Sequence, residues 1–248
     1  MLLAACDQLF ATGQTRLVRV SYRAPARLAL HEPVLIELNV ENLMNEAIRF
    51  DLGLNRTSSF FVTIMRPDGT IVRAAPPALE DGPIRIGRVS VAGSGSYSQE
   101  LLMNDWSRFD QVGTYQLQIT STTTISTEHG GTVTTPTGGV VRLQIAADEF
   151  ALEERCRRLA DIAVREPNAW QFEHAARLLT YVDDSVGIRY MRQVLARTER
   201  VDTIILQGLA RINSAEARAA LADTALGGSP DRVIEANEVL RDLERRRR

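Results

Sequence analysis

The chain has 248 residues, 44% of them hydrophobic and 24% charged, with 29 basic against 31 acidic groups for a formal net charge of -2. That composition suits one large or two small globular domains, and no apolar run of about 18 residues is present to span a membrane. Two cysteines exclude a disulfide framework and a thiolate metal cluster, and the near-neutral charge gives no general attraction to nucleic acid. Every basic residue is arginine, which removes Schiff-base and phosphate-loop lysine chemistry.

The first residues read Met1-Leu2-Leu3-Ala4-Ala5-Cys6. They carry neither a basic start nor an apolar run of signal-peptide length. Leu3-Ala4-Ala5-Cys6 resembles the lipobox of bacterial lipoproteins, which implies Cys6 as the lipidation site if the native start lies upstream of Met1. Residues 1–14 are read as an N-terminal extension.

From residue 15 to 147 the hydrophobic period is two. Val18, Val20 and Tyr22 alternate with Leu17, Arg19 and Ser21. Val34, Ile36, Leu38 and Val40 alternate with Glu37, Asn39 and Glu41, and Ile48, Phe50 and Leu52 with Arg49 and Asp51. Phe60 to Met65 is apolar on both faces and is predicted to be a central strand. Ile84–Val91, Tyr97–Leu102, Thr114–Thr120 and Val140–Ile145 complete the set. Arg66-Pro67-Asp68-Gly69 and Asp81-Gly82-Pro83 are turns, with proline pre-set and glycine free to take positive φ. Seven to nine short strands with no crossover helix predict an antiparallel sandwich rather than a parallel, nucleotide-binding sheet.

Trp106, Phe109, Asp110, Gly113 and Tyr115 form W-x-x-F-D-x-x-G-x-Y. The pattern resembles the approach to strand F of immunoglobulin-like sandwiches, in which a corner tyrosine donates its hydroxyl to the backbone. Here the Asp-to-Tyr spacing is one residue longer than the commonest form. Asn39-Val40-Glu41-Asn42 is similar to the V-x-N strand ending of bacterial immunoglobulin-like and fibronectin-like members, and the missing disulfide pair excludes an antibody-type domain. The resemblance implies a fold, and Trp106, Phe109, Gly113 and Tyr115 as its structural corner; it implies no activity. Between the last two strands, residues 121–139 are rich in hydroxyl side chains around Gly130-Gly131. This stretch is expected to be either a protruding hairpin or a mobile loop, and Thr123, Glu128, His129 and Thr132 are its candidate partner-binding residues.

At Asp148, an expected N-cap, the period changes to 3.6. Leu152, Cys156, Leu159 and Ala163 form the apolar stripe of a helix closed by Pro167. Helices are predicted over Trp170–Tyr181, Val186–Leu195, Val201–Ile212, Ala215–Leu226 and Asp231–Arg245, with breakers at Asn213-Ser214 and Gly227–Pro230. They repeat: Leu179 and Val182 correspond to Leu209 and Ile212, and to Leu240 and Leu243. Ala175, Ile205 and Ala236 precede them, and Met191 matches Leu221. A period of about 30 residues is that of a two-helix unit. Ile212 to Leu221 resembles the turn and second helix of a HEAT-type repeat, with Tyr181 to Met191 a degenerate copy. Residues 148–248 are therefore expected to be a short α-solenoid of HEAT-like hairpins behind the immunoglobulin-like sandwich of residues 15–147.

No catalytic, cofactor-binding or metal site is legible. His31, His129 and His174 lie at no zinc-type spacing, and Cys156 falls on an apolar stripe, where a thiol acts as a small hydrophobe. Asp183-Asp184 reads as helix capping. Asn55-Arg56-Thr57 fits a glycosylation acceptor. Arg245 to Arg248 is basic, but the helical half as a whole balances its arginines with carboxylates. The expected function is a non-enzymatic bacterial protein-binding or adaptor module working through sandwich loops and the helical surface. The alternatives are a cell-envelope lipoprotein held by Cys6 with a structural or carbohydrate-binding sandwich, and a hydrolase whose groups converge only in the fold. The expected partner is a protein, with carbohydrate second and no specific nucleic acid; membrane contact comes only through a lipidated Cys6. An envelope location is favoured over the cytoplasm.

Overall fold

Burial follows the two periods read from the sequence. A computed structural model describes residues 17–53, 57–74, 87–133 and 137–245. Over them the protein is a mixed β and α chain, with sheets in the N-terminal part and six helices in the C-terminal part. The extension with Cys6, the acceptor Asn55, the turn at Asp81-Gly82-Pro83, the start of the strand expected from Ile84, and Arg246–Arg248 lie outside the described residues.

The strands are β1 (Val18–Arg23), β2 (Arg27–Ala29), β3 (Leu35–Asn42), β4 (Ile48–Asp51), β5 (Phe60–Met65), β6 (Ile71–Ala74), β7 (Arg88–Val91), β8 (Ser96–Leu102), β9 (Gly113–Ser121), β10 (Ile125–Thr127), β11 (Thr132–Val133) and β12 (Gly139–Ala146). They form sheets of order β1-β3-β8, β11-β10-β4-β7 and β2-β12-β9-β5-β6. The inward residues of all three share one core, including Ile36, Leu38, Ile48, Phe60, Ile64, Tyr115, Leu117, Ile119 and Leu143. Asn42, the last residue of the V-x-N ending, is buried and pins the β3–β4 turn to the end of β7. Its amide donates to the carbonyls of Glu46 at 2.8 Å and Ala92 at 2.9 Å, and its Oδ1 accepts from Met44 N–H at 3.1 Å.

Three expectations change. The pairing is not wholly antiparallel, because β2 runs parallel to β12 at one edge, with Leu28 opposite Ile145. A three-residue edge strand arriving from another sheet needs no crossover helix, so the sequence pattern carries no trace of it. Phe60–Met65 is interior to its sheet, between β9 and β6, but only Phe60, Val62 and Ile64 are buried, while Phe61 and Met65 face outward. The described part of residues 121–139 docks on a sheet. After β9 the chain changes sheet, β10 pairs with β4 through Ser126 opposite Arg49, and β11 closes the hairpin. Burial of Ile125 and Val133 holds it there. β6, which the alternation left unassigned, follows the Arg66–Gly69 turn.

The helices are α1 (Glu149–Arg165), α2 (Ala169–Thr180), α3 (Ser185–Leu195), α4 (Asp202–Ile212), α5 (Ala215–Gly227) and α6 (Pro230–Arg245). Asp148, Asn168, Asp184 and Ser214 cap α1, α2, α3 and α5, each accepting a backbone N–H of the first turn. Odd helices lie against odd and even against even: α3 touches α1 and α5, and α4 touches α2 and α6. The repeating positions point into one core, with Leu179, Leu209, Ala175, Ile205, Ala236, Met191 and Leu221 buried.

Polar ties join each layer at about the repeat spacing. Arg189 pairs with Glu153 at 2.7 Å between α3 and α1, and Arg192 with Asp223 at 2.7 Å between α3 and α5. Between α6 and α4, the Arg232 guanidinium takes both oxygens of Asp202, at 2.7 and 3.0 Å, in a largely buried pair. Gly208 sets the approach of α4 to α2, because a Cβ there would lie 2.3 Å from both Cβ and Cγ2 of Thr180. On propensity alone Gly208→Ala would stabilise the helix by roughly 1 kcal/mol. Forced contact with Thr180 is expected to reverse the sign and cost about 1–3 kcal/mol, read as a lower urea midpoint; a raised midpoint would contradict this packing.

Candidate functional site

Sheets and helices meet along a seam that starts from a short turn. After β8 the chain makes one 3-10 turn, Met103–Asp105, with Met103 buried. The peptide of Val34 fixes it: Met103 N–H donates to the Val34 carbonyl at 2.8 Å, and Val34 N–H donates to Asn104 Oδ1 at 2.7 Å. This aims Asp105 at α2. Its carboxylate accepts the Tyr181 hydroxyl and pairs with Arg177 Nη2 at 3.1 Å, and the side chain is only 10% exposed. Burial raises the Tyr181 hydroxyl pKa, and the Asp105 charge adds to the effect.

Three further ion pairs cross the seam. His174 Nε2 lies 2.9 Å from Glu100 Oε2, with the Trp170 ring stacked on the imidazole. Arg155 approaches Glu32 at 3.6 Å, and Arg27 approaches Asp148 at 3.7 Å. Ala29, Leu35 and Leu102 supply apolar contact by packing into the helical core rather than the sheet core. His174 is thus a bridging residue between β8 and α2.

Beside Asp105 the seam opens into a cleft of about 140 Å³, with His31, Arg108, Asp110, Tyr181, Asp183 and Arg211 among its walls. Arg211 lies 3.6 Å over the Tyr181 ring, and its Nη2 donates to the carbonyl and hydroxyl oxygens of Thr180, at 2.7 and 2.8 Å. The wall hydroxyls are engaged: Ser107 donates to the Arg108 carbonyl, Thr180 to the Arg177 carbonyl and Tyr181 to Asp105. These bonds hold the end of α2. Among the described residues no group of three or more His, Cys, Asp or Glu is placed to hold a metal ion, and no helix is long and apolar enough to cross a membrane. Cys156 is buried, and desolvation pushes its thiol up to about 12.

Two broader surfaces remain open. A groove of about 480 Å³ runs along α3, with Val186, Arg189, Arg192 and Gln193 on one side and Glu216 of α5 on the other. The outward side of the five-stranded sheet exposes Phe61 (45%), Met65 (41%), Ile71 (63%) and Val140 (58%) among threonines, glutamines and arginines. The outward side of β1-β3-β8 is different in kind, bearing Arg19, Arg23, Glu37, Glu41, Ser98 and Glu100 and no exposed large apolar residue within its strands.

The residues expected from sequence to bind a partner are spread over the docked hairpin. Thr123 Oγ1 donates to the Asp51 carbonyl at 2.9 Å, Glu128 lies 3.6 Å from Arg49, His129 is exposed 3.8 Å from Glu46, and Thr132 is exposed. Trp106, Phe109 and Tyr115 are buried in the sheet core, with Phe109 and Tyr115 rings 5.1 Å apart. Gly113 has φ 135° and leaves no room for a Cβ, which would meet Pro67 at 2.6 Å. The corner bond is reversed from expectation: Tyr115 Oη accepts from Gln111 N–H at 3.1 Å. Asp105 and the outward apolar residues escaped the sequence reading. For Phe61 and Met65 the signal was present, because a strand apolar on both sides either lies between layers or keeps one side for a partner.

No family model and no curated protein matches the chain. Solved structures similar to parts of it include the CARDB domain of the PF1109 protein from Pyrococcus furiosus in complex with di-metal ions, at 13% identity, 52% of this chain, 87% of that chain and a TM-score of 0.28. Another is the alkylpurine DNA glycosylase AlkC of Pseudomonas fluorescens bound to DNA containing an abasic site analog, at 10% identity, 53% and 31% coverage and a TM-score of 0.25. The native conformation of E. coli alpha-2-macroglobulin aligns over 90% of this chain and 16% of its own, at 11% identity and a TM-score of 0.32. Likeness at these scores assigns no function.

The seam carries a pH signature. The hydrogen bond from His174 holds the Glu100 carboxyl below the usual glutamate range, and the charges of His174 and Arg155 add to this against burial. A depressed carboxyl stabilises the fold above its unfolded pKa and loses that contribution as pH falls through the folded value. The stability gap between the native chain and Glu100→Gln, followed by melting temperature against pH, should be present at neutral pH and close as pH drops below the ordinary glutamate range. A gap that persists unchanged at acid pH would remove Glu100 from the account.

Proposed function

We propose that the chain is a non-enzymatic protein-binding module, an immunoglobulin-like sandwich joined to a short HEAT-like stack. The reading rests chiefly on one observation: the outward side of the five-stranded sheet keeps Phe61, Met65, Ile71 and Val140 exposed on regular, paired strands. Single exposed apolar residues are ordinary, but several on one ordered face mark an interaction surface. Register places Met65 directly opposite Ile71, and Phe61 faces the same side of β5 two outward positions away, beyond Thr63.

The helical array supports the reading in a second way. Pairs stacked odd on odd and even on even, with ties such as Arg192–Asp223 and Arg232–Asp202, make a stiff scaffold. The α3–α5 groove, open and lined by charged side chains, supplies a further contact surface. The cleft at the seam is too small for most substrates, and its hydroxyls serve the joint.

A pull-down from extracts of the source cell, using the tagged full chain, tests the reading. Phe61→Ser with Ile71→Ser should abolish retention of the partner while the melting temperature stays within a few degrees, because both side chains are exposed. A control variant on the charged sheet, Glu37→Ala, should retain it. No protein held above the bead background, or equal retention by all three chains, would reject the module reading.

A further inference from the structure

The outward residues of the five-stranded sheet form rows that register makes explicit. One row runs Arg142, Gln116, Met65, Ile71; the next runs Val140, Gln118, Thr63, Arg73. Each spans four strands, roughly 14 Å at the usual strand separation. Arginine and a branched aliphatic stand at the ends of both rows, in opposite order. Phe61, opposite Thr120, adds an aromatic ring beyond them. At the β2 edge Arg27 stands opposite Gln144 and leans on Asp148.

No carboxylate occupies an outward position on these five strands. Arg142 uses its Nε on Gln116, and among the described residues neither Arg73 nor Arg142 forms an ion pair. The nearest acid along the hairpin, Asp68, is committed to Thr70 N–H at 2.8 Å. The other open sheet, by contrast, presents Glu37, Glu41 and Glu100. Among the described residues, the outward strand positions of this sheet thus combine the apolar side chains with arginines and no carboxylate.

We infer that this face binds an acidic segment of a partner protein, with carboxylates on Arg73 and Arg142 and apolar side chains over Met65, Ile71 and Val140. Charge complementarity selects that occupant. A second copy docking face to face would set arginine against arginine with no carboxylate to answer it. A nucleic acid would meet a chain of net charge -2 and, among the described residues of this face, two arginines outside an ion pair. The inference rests on the protein-binding reading and adds the site and the chemistry of the partner.

Panning a random peptide-display library against the full chain, followed by fluorescence anisotropy of the enriched peptides, tests it. Enriched peptides should combine Asp or Glu with Leu, Ile or Phe, and should bind less tightly as salt rises. Arg73→Glu with Arg142→Glu should weaken them by about tenfold or more, with melting temperature and circular dichroism unchanged. Peptides with their acids replaced by lysine should recover binding to that reversed variant. Neutral or basic enriched peptides, or acidic ones that bind the reversed variant equally well, overturn the inference. A dimer in sedimentation that Phe61→Ser with Met65→Ser abolishes assigns the face to a second copy, and duplex DNA bound through the same arginines assigns it to a polyanion; either overturns it. Peptides that map to the α3–α5 groove leave the module reading standing while this inference falls, and a library that yields no binder removes both.

Discussion

A carboxylate buried where two halves of a chain meet must be answered from the other side. Asp105 is answered twice by α2, through the Tyr181 hydroxyl and the Arg177 guanidinium. Losing either partner would leave a desolvated charge under-compensated, a strongly destabilising condition even where the intact pair adds little net stability. The bond therefore acts as a constraint on geometry more than as a source of energy. It fixes where α2 stands relative to the end of β8, while Ala29, Leu35 and Leu102 enter the helical core beside it. Arg211 and Thr180 then carry the position of α2 to α4, and Asp202 carries α4 to α6 through Arg232.

This order of dependence gives the two open faces different meanings. The seam cleft exists because the joint cannot fill its own corner, and its polar groups are tied into that joint. The outward side of the five-stranded sheet stands on regular strands, and the inward residues of its interior strands, such as Phe60, Ile64, Tyr115 and Leu117, are buried. Exposed apolar side chains on such a rigid face cost little conformational entropy to bury against a partner. On the proposed reading, arginines without acids on these strands would select the partner by electrostatics, whereas β1-β3-β8 carries Glu37, Glu41 and Glu100 beside Arg19 and Arg23.

How much of this was legible depended on the separation in sequence. Local patterns were read well: Asp148 caps α1 as its position implied, and helix limits such as Ser185–Leu195 fall within a residue of the periodicity. Tyr115 and Phe109, a few residues apart, pack ring against ring, while the direction of the tyrosine hydrogen bond depends on Gln111 and has no local sign. Pairings over long distances left no mark. Asp105 and Tyr181 are 76 residues apart, and an acid beside a tryptophan in a turn has no local sign of its role. Residues 121–139 look like an excursion because hydroxyl-rich chain is usually solvated; the docking of β10 on β4 depends on Ile125, one aliphatic in a polar stretch. Phe60–Met65 was ambiguous in principle, since two apolar faces imply two covered faces without saying whether the second cover belongs to the same chain.

The central claim is that the sheets and helices form one cooperative body held at Asp105. Differential scanning calorimetry of the full chain tests it most directly. The account predicts one transition with matching calorimetric and van't Hoff enthalpies, separating into two when Asp105→Ala releases Tyr181 and Arg177. Two independent transitions in the native chain, unchanged by that substitution, would contradict it.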